Sequence, residues 1–132
     1  MIFLDTGVII AASMHKDESH YRAVELIKDA LLHHETLVIT DHVLDETVTF
    51  LAGKAGKKIA HEVGARLLKS TQMRMELCSL ERCEAALSLV AKIGGLSFCD
   101  ALNIAVMREL DIRAIYSFDS DFDGIAGITR IE

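Results

Sequence analysis

Short apolar runs alternate along this chain with longer segments of helical periodicity, and this alternation constrains the fold more than any other feature. The apolar runs, each flanked by turn or capping residues, cover residues 2–4, 37–39, 75–78, 114–116 and 128–131. The spacing of apolar residues predicts helices over 19–34, 42–52, 57–69, 83–93 and 97–110. Strands that alternate with helices pair in parallel through right-handed crossovers. The sequence therefore predicts a three-layer α/β/α domain with a mainly parallel five-stranded sheet.

The composition suits one well-filled core. The chain has 132 residues, 51% of them hydrophobic, and no linker divides it, so we predict a single domain over residues 1–132. No apolar segment is long enough to span a bilayer, and the N-terminus lacks the basic start and cleavage site of a signal peptide, so we expect a cytoplasmic protein. Cys78, Cys83 and Cys99 form no C-x-x-C pair and are predicted to be core thiols.

Charge is distributed unevenly along the sequence. The formal net charge of −6 disfavours nonspecific coating of nucleic acid. Between Gly53 and Arg74, however, six basic residues accompany one acid, Glu62, which gives a local balance of +5. These basic residues are Lys54, Lys57, Lys58, Arg66, Lys69 and Arg74. We interpret this basic stretch as a candidate phosphate-facing surface, with a solvated helix face as the alternative.

Two of the predicted strands lead into aspartates. Asp5 directly follows the run 2–4, and Asp119 comes soon after the run 114–116. Burying an unpaired carboxylate costs several kcal/mol unless it is hydrogen-bonded, protonated or neutralised by a cation. Because the carboxyl ends of parallel strands meet at one edge of the sheet, the two aspartates predict a single site. The alternative for Asp5 is a structural role beside a tight backbone turn at Thr6 and Gly7.

Two further acids lie near predicted helix starts. Glu46 is three residues after Val43 and four before Phe50, which predicts a position on or beside the apolar stripe rather than on the solvent face. The segment Ser97-Phe98-Cys99-Asp100 is typical of a capping box with Asp in place of Glu, so helix initiation is an alternative role for Asp100. The helix that follows is apolar nearly all round, which predicts deep burial and brings Asp100 toward the same sheet edge.

Several other motifs are incomplete. Residues 119–124, DSDFDG, begin like a calcium loop, but Arg130 stands where the bidentate glutamate belongs. A strand followed by D-x-D is also typical of haloacid-dehalogenase-like phosphatases, yet Asp123 occupies the place of their Thr or Val. Asp41 is interpreted as a helix-start residue that suits the helix dipole, and His42 belongs to no metal-ligand spacing. The sequence alone therefore predicts no zinc site.

Four acidic segments occur in order along the chain and together carry a resemblance. They are LDT (4–6), VLDET (43–47), LSFCDAL (96–102) and SFDSDF (117–122). In this order they resemble the four acidic motifs of PIN-domain ribonucleases, and above all those of the small single-domain, VapC-like toxins. The resemblance extends over nearly the whole chain and implies the PIN-like version of the predicted fold.

The resemblance also implies a metal site. Its metal-binding and catalytic acids would be Asp5, Glu46, Asp100 and Asp119. Asp121 would be a further ligand or a supporting group; whether it or Asp119 completes the cluster stays open, and strand register favours Asp119. Four carboxylates within a few ångströms repel one another, and a divalent cation relieves that repulsion. Ligands that are all oxygen indicate a hard ion, Mg²⁺ or Mn²⁺, and four acids are compatible with one ion or two.

By the same resemblance the chain would be a Mg²⁺- or Mn²⁺-dependent endoribonuclease that hydrolyses RNA phosphodiester bonds. A homodimer is implied, and, for a toxin, an antitoxin whose segment blocks the acidic cleft. Because aromatic residues make up only 5% of the chain, RNA recognition is expected to depend on phosphate contacts, including those of the basic stretch. The alternatives are a non-catalytic PIN-like RNA-binding or scaffold module and a calcium-binding regulatory domain.

Overall fold

The strands of the sheet lie close to where the apolar runs predict them. The computed structural model describes residues 1–132. Its strands are β1 (Ile2–Leu4), β2 (Leu37–Thr40), β3 (Met73–Glu76), β4 (Ala114–Tyr116) and β5 (Thr129–Ile131). The predicted range 75–78 for the third strand is wrong by two residues, because the ladder with β2 runs from Leu37 paired with Met73 to Thr40 paired with Glu76. Residues 77 and 78 follow the strand and lie beyond the end of β2.

The sheet is parallel throughout, with the order β3-β2-β1-β4-β5. β1 is therefore central, and the connections from β1 to β2 and from β3 to β4 place helices on the two faces. The predicted three-layer α/β/α fold with a five-stranded sheet is confirmed. Because all five strands point the same way, everything that follows a strand begins at one edge, which we call the carboxyl edge.

Six α-helices surround the sheet. They are α1 (Thr6–Ser13), α2 (His20–Leu32), α3 (Asp41–Lys54), α4 (Lys57–Lys69), α5 (Leu80–Lys92) and α6 (Phe98–Glu109), and a short 3-10 turn covers Ser120–Phe122. The interpretation of Thr6 and Gly7 as a tight turn is wrong, because both belong to α1. Residues 8–12 are all apolar, so α1 has no amphipathic period from which it can be recognised.

The core explains why α6 lies so deep. Seven consecutive residues of this helix, 101–107, are buried, as its apolar sequence predicts. Five of them, all except Asn103 and Ala105, join Phe3, Ile39 and Ile115 from the strands in a buried cluster of 25 apolar residues. The burial fixes the start of α6, and with it Asp100, against the carboxyl edge. None of the six helices combines the length and apolar character that crossing a membrane requires.

Candidate acidic active site

Asp5 lies at the junction of β1 and α1, where its exposed fraction is only 8%. One carboxylate oxygen, Oδ1, accepts a hydrogen bond of 2.8 Å from the backbone N–H of Thr6 and caps α1. The other, Oδ2, accepts a bond of 2.7 Å from the hydroxyl of Ser117. Ser117 is fully buried, and its Oγ also accepts the backbone N–H of Asp119 at 3.0 Å. Ser117 thus joins the end of β1 to the end of β4.

The carboxylate of Asp5 is electrostatically costly in this position. Burial raises the pKa of Asp5 from 3.8 to about 6, even though the hydrogen bonds from Ser117 and Thr6 lower it. Repulsion from Asp100 and Asp119 adds to the increase. These two acids therefore lie close enough to Asp5 to act on its charge, as the predicted single site requires.

Asp100, Asp119 and Asp121 form the tightest group of acids. One carboxylate oxygen from each lies within 4.8 Å of the others. Asp100 is in the first turn of α6, where its Oδ2 accepts a bond from the hydroxyl of Ser97, and burial together with Asp119 raises its pKa. Asp119 caps the 3-10 turn by accepting the backbone N–H of Asp121 at 2.9 Å. Both candidates in the last motif therefore belong to the group.

Glu46 lies on α3 beside this group and is connected to it through α1. Its Oε2 accepts a hydrogen bond of 2.9 Å from the hydroxyl of Thr6, the residue next to Asp5. Its charge contributes to the raised pKa of Asp100. The prediction that Glu46 avoids the solvent-facing side is wrong: the buried side of α3 contains Val43, Thr47 and Leu51, and Glu46 is exposed. The exposed position leaves its carboxylate open to the cleft.

No basic side chain neutralises the five acids, which we call the acidic cluster: Asp5, Glu46, Asp100, Asp119 and Asp121. All nine salt bridges of the chain lie elsewhere. Arg82, for example, pairs with Glu76 and Glu109, each at 2.8 Å. Carboxylates that are close together and lack a counter-charge fit a divalent cation, and a donor set made only of oxygen fits a hard one.

Asp123 does not belong to the acidic cluster. Arg130 on β5 holds it through two hydrogen bonds, of 2.7 and 2.9 Å. Arg130, which stands where a calcium loop needs its glutamate, therefore also binds Asp123, the third aspartate of the loop pattern. Asp123 is thus separated from Asp119 and Asp121. This pairing counts against a calcium loop and leaves Asp119 and Asp121 free to face Asp100.

A buried polar pair supports the helices that carry two of the acids. The Thr40 hydroxyl donates to Oδ1 of Asn103 at 3.1 Å and accepts the backbone N–H of Val43 at 3.2 Å, which caps α3. Thr40 and Asn103 are both almost fully buried. The pair connects α3, which carries Glu46, to α6, which carries Asp100. The sequence signal for this role is an asparagine inside the otherwise apolar run 101–107.

Glu46, one member of the acidic cluster, lines an open cleft of about 460 Å³. The cleft is lined by Thr6, Ile10, Asp45, Glu46, Thr49 and Phe50. The basic stretch lies on the end of α3, on α4 and on β3. Five of its six basic side chains form no salt bridge, whereas Arg74 pairs with Glu76. These five side chains are available for contacts with phosphate.

Comparison with known proteins agrees with the fold. The sequence model of the PIN domain family matches residues 2–128. The chain is 32% identical, over an alignment of 133 positions, to the 23S rRNA-specific endonuclease VapC20 of Mycobacterium tuberculosis, found in two strains. That alignment covers 99% of this chain and 98% of VapC20.

Solved structures show the same relationship. The crystal structure of M. tuberculosis VapC20, described as a toxin that cleaves the sarcin-ricin loop, matches with a TM-score of 0.83 at 29% identity, over 96% of this chain and 95% of the other. A toxin-antitoxin complex from Klebsiella pneumoniae shares the fold, with a TM-score of 0.68 at 15% identity over 98% and 96% of the two chains. The resemblance to VapC-like toxins is confirmed, and the chain belongs to the PIN domain family.

Proposed function

We propose that this chain is an endoribonuclease that depends on Mg²⁺ or Mn²⁺, with the acidic cluster as its metal-binding and catalytic site. The observation that carries the proposal is the meeting of five carboxylates at the carboxyl edge with no basic partner. Asp100, Asp119 and Asp121, whose carboxylates lie closest together, would provide the first ligands, and Asp5 and Glu46 would complete the donor set. All-oxygen donors favour Mg²⁺ or Mn²⁺ over softer ions.

The chain's own residues would prepare this site for hydrolysis of a phosphodiester. When bound, Mg²⁺ or Mn²⁺ supplies positive charge that stabilises the phosphate oxygens and favours attack by water. Ser117 holds Asp5 through Oδ2, and Thr6 holds Glu46 through Oε2, so neither carboxylate has to reorient when substrate arrives. The hydroxyl of Ser97 fixes Asp100 in the same way. The protein contributes positioning and electrostatics, and water is the nucleophile.

Ribosomal RNA is the substrate we propose first. VapC20, at 32% identity over almost the full length, is named for its action on 23S rRNA. An RNA loop offers unstacked bases and a flexible backbone, which an open cleft beside the acids can accept. The free basic side chains Lys54, Lys57, Lys58, Arg66 and Lys69 would hold the flanking phosphates. Action on ribosomal RNA would take place in the cytoplasm.

Two protein partners form part of the proposal. As a toxin, the chain would be restrained by an antitoxin whose segment occupies the cleft beside Glu46, where Phe50 is 42% exposed and offers an apolar contact. As a homodimer, it would bury the exposed side chains along α5 and the loop before it: Leu77, Leu80, Leu87 and Val90. Sedimentation analysis of the purified chain and of a Leu87→Glu variant tests the dimer, because only the wild type should sediment as two copies.

Cleavage of ribosomal RNA tests the activity. Wild-type protein is incubated with intact bacterial ribosomes and Mg²⁺ or Mn²⁺, and new RNA ends are mapped by primer extension. The Asp119→Asn variant should lose cleavage, and so should wild type in a chelator, whereas Asp123→Asn should cleave normally because Asp123 lies outside the acidic cluster. Equal cleavage by wild type and Asp119→Asn would refute the proposal. Absence of cleavage with either ion on ribosomes and on mixed RNA would favour the non-catalytic module instead.

A further inference from the structure

We propose a second metal site, selective for Zn²⁺, formed by Asp41, His42 and Cys78 at the carboxyl ends of β2 and β3. One donor atom from each side chain, a carboxylate oxygen, an imidazole nitrogen and a sulfur, lies within 4.8 Å of the other two. A set that combines oxygen, nitrogen and sulfur is typical of zinc and unsuited to Mg²⁺. We call these residues the mixed cluster. The proposal does not depend on ribonuclease activity.

Sheet register explains why residues so far apart in the sequence meet here. Thr40 at the end of β2 pairs with Glu76 at the end of β3. The residues that follow these strands, 41–42 and 77–78, therefore emerge side by side at the carboxyl edge. The backbone N–H of Cys78 then donates to Oδ1 of Asp41 at 3.1 Å, which ties the segment after β3 to the start of α3. The thiol of Cys78 is also hydrogen-bonded to the carboxylate of Asp41, and a bound ion would replace that contact.

The side chains of the mixed cluster are spaced for a shared cation rather than for a bond between the imidazole and its neighbours. The imidazole bonds of the chain belong to His20 and His33, and the ring of His42 has no hydrogen-bond or salt-bridge partner. Donors around a tetrahedral Zn²⁺ with bonds of about 2.0–2.3 Å are roughly 3.5 Å apart. Donor atoms that already lie within 4.8 Å reach that spacing by small rotations of their side chains.

The surroundings of the mixed cluster favour a bound ion that is accessible from solvent. All three residues are partly exposed, so an ion can enter and a water molecule can fill the fourth position. The ring of His42 packs edge-on against Phe98, with 6.5 Å between the ring centroids. On binding, the thiol of Cys78 would release its proton to solvent as the sulfur–zinc bond forms, with no change of oxidation state. Phe98 opens α6 two residues before Asp100, so the two clusters are neighbours.

Zinc binding is best measured on a chain whose acidic cluster is disabled. In the Asp100→Asn/Asp119→Asn background, competition with a chromogenic chelator should show one equivalent of Zn²⁺ bound, and excess Mg²⁺ should not displace it. Adding His42→Ala or Cys78→Ser should weaken zinc binding by roughly 100-fold or more, since each change removes a direct ligand. Adding Cys83→Ser, the same chemical change at a cysteine outside the mixed cluster, should leave zinc binding intact.

Cobalt identifies the sulfur ligand directly. Co²⁺ added to the same protein should give a thiolate-to-cobalt charge-transfer band in the near ultraviolet, which persists with Cys83→Ser and disappears with Cys78→Ser. Circular dichroism verifies that each variant is folded, and His42→Ala serves as the second variant if Cys78→Ser unfolds. Absence of bound zinc, unchanged zinc affinity after loss of Cys78 or His42, or equal loss with Cys83→Ser would overturn the proposal.

Discussion

The carboxyl edge of this sheet carries two clusters that differ in chemistry and in electrostatic cost. At the ends of β1 and β4 the acidic cluster contains only carboxylates, and burial raises the pKa of Asp5 to about 6. At the ends of β2 and β3, desolvation also opposes the charge of Asp41, but hydrogen bonds from Cys78 outweigh it and the pKa of Asp41 is lowered. Without a cation, burial and repulsion disfavour the charged carboxylates of the acidic cluster. In the mixed cluster, hydrogen bonds already stabilise the charge of Asp41.

This difference indicates which metal each half of the edge would take and how strongly folding would depend on it. Repulsion within the acidic cluster is relieved by any hard divalent ion, so ion binding there should also stabilise the fold. The mixed cluster has only one carboxylate, so it does not attract cations by excess negative charge. Its selectivity for zinc would come from the sulfur and nitrogen ligands. Substitutions confined to one half should leave the other unaffected, so each half can be tested alone.

The largest effect is expected from Asp100→Asn. This substitution removes one ligand from the tightest group of acids, and the expected loss of transition-state stabilisation is about 4 kcal/mol, or roughly a 10³-fold slower cleavage of RNA. Initial rates on a ribosomal RNA substrate measure this loss, with Asp123→Asn as the control of identical chemistry. Zinc binding at the mixed cluster should be unchanged. If the cleavage rate fell by less than about tenfold, Asp100 would not be a catalytic residue.

Asp5→Asn should stabilise the metal-free protein while it removes activity. Asp5 ionises near 3.8 when unfolded and near 6 when folded, so the folded state binds the extra proton and the wild type becomes more stable as pH falls through this range. Above it, the ionised carboxylate costs up to about 3 kcal/mol. Asparagine removes that cost.

Denaturant unfolding in a chelator measures the effect of Asp5→Asn. The difference in free energy of unfolding between the variant and wild type should be larger at about pH 7 than at about pH 4.5, where the wild-type carboxyl is mostly protonated. The matched change Asp41→Asn should lower the free energy of unfolding by nearly the same amount at both pH values, because hydrogen bonds from Cys78 lower the pKa of Asp41 and it stays ionised throughout this range. A difference for Asp5→Asn that does not depend on pH would contradict the electrostatic account of the acidic cluster.

Ser117→Ala should have an intermediate effect. The hydroxyl of Ser117 orients Asp5 and accepts the backbone N–H of Asp119, so its removal leaves Oδ2 of Asp5 and the N–H of Asp119 without these bonds. Residues that orient metal ligands typically contribute 10–100-fold to metal affinity, and we expect a loss of about that size for Mn²⁺. Calorimetric titration with Mn²⁺ measures it, and Ser117→Thr, which keeps the hydroxyl, tests for rescue. Unchanged Mn²⁺ affinity in Ser117→Ala would show that the bridge is dispensable.

The smallest effect is expected on the basic stretch. Lys57→Gln and Lys58→Gln each remove one exposed, unpaired charge from the start of α4. For single-stranded RNA, the plot of log affinity against log salt concentration should become shallower by about 0.7 for each phosphate that the variant no longer neutralises. Filter binding at several salt concentrations measures this slope, with Arg74→Gln as the control because Arg74 is already paired with Glu76. If all three variants gave the same slope as the wild type, the basic stretch would contribute to solubility and not to RNA binding.

The sequence predicts the strands, and the meeting of the acids at one edge of the sheet, because both depend on strong local signals. Apolar runs with turn residues mark β1 and β4, and the four acidic segments fall at strand ends or near helix starts. α1 escapes prediction because its residues are apolar on every side, so the hydrophobic pattern has no period. Asp5 therefore acts as a helix cap as well as a buried acid, a dual role that no local pattern indicates.

Long-range contacts account for what the sequence does not predict. The mixed cluster depends on the register of β2 against β3, which brings Cys78 beside Asp41 and His42 although 36 positions separate it from His42. The Thr40–Asn103 bond likewise joins residues 63 positions apart. The exposure of Glu46 follows from how α3 packs its neighbouring Thr47 inward. Each feature depends on tertiary packing, which single-sequence periodicity does not encode.

Paramagnetic broadening by Mn²⁺ locates the hard-ion site on the folded chain and so shows whether the acidic cluster binds the metal. In a ¹H–¹⁵N spectrum of the wild-type protein, small additions of Mn²⁺ should first remove the amide signals of Thr6, Asp100, Asp119 and Asp121. The amides of His42 and Cys78 should persist longer, and Asp100→Asn/Asp119→Asn should abolish the early broadening. Broadening that begins at His42 and Cys78, or that spreads evenly over the surface acids, would contradict the assignment of the metal site to the acidic cluster.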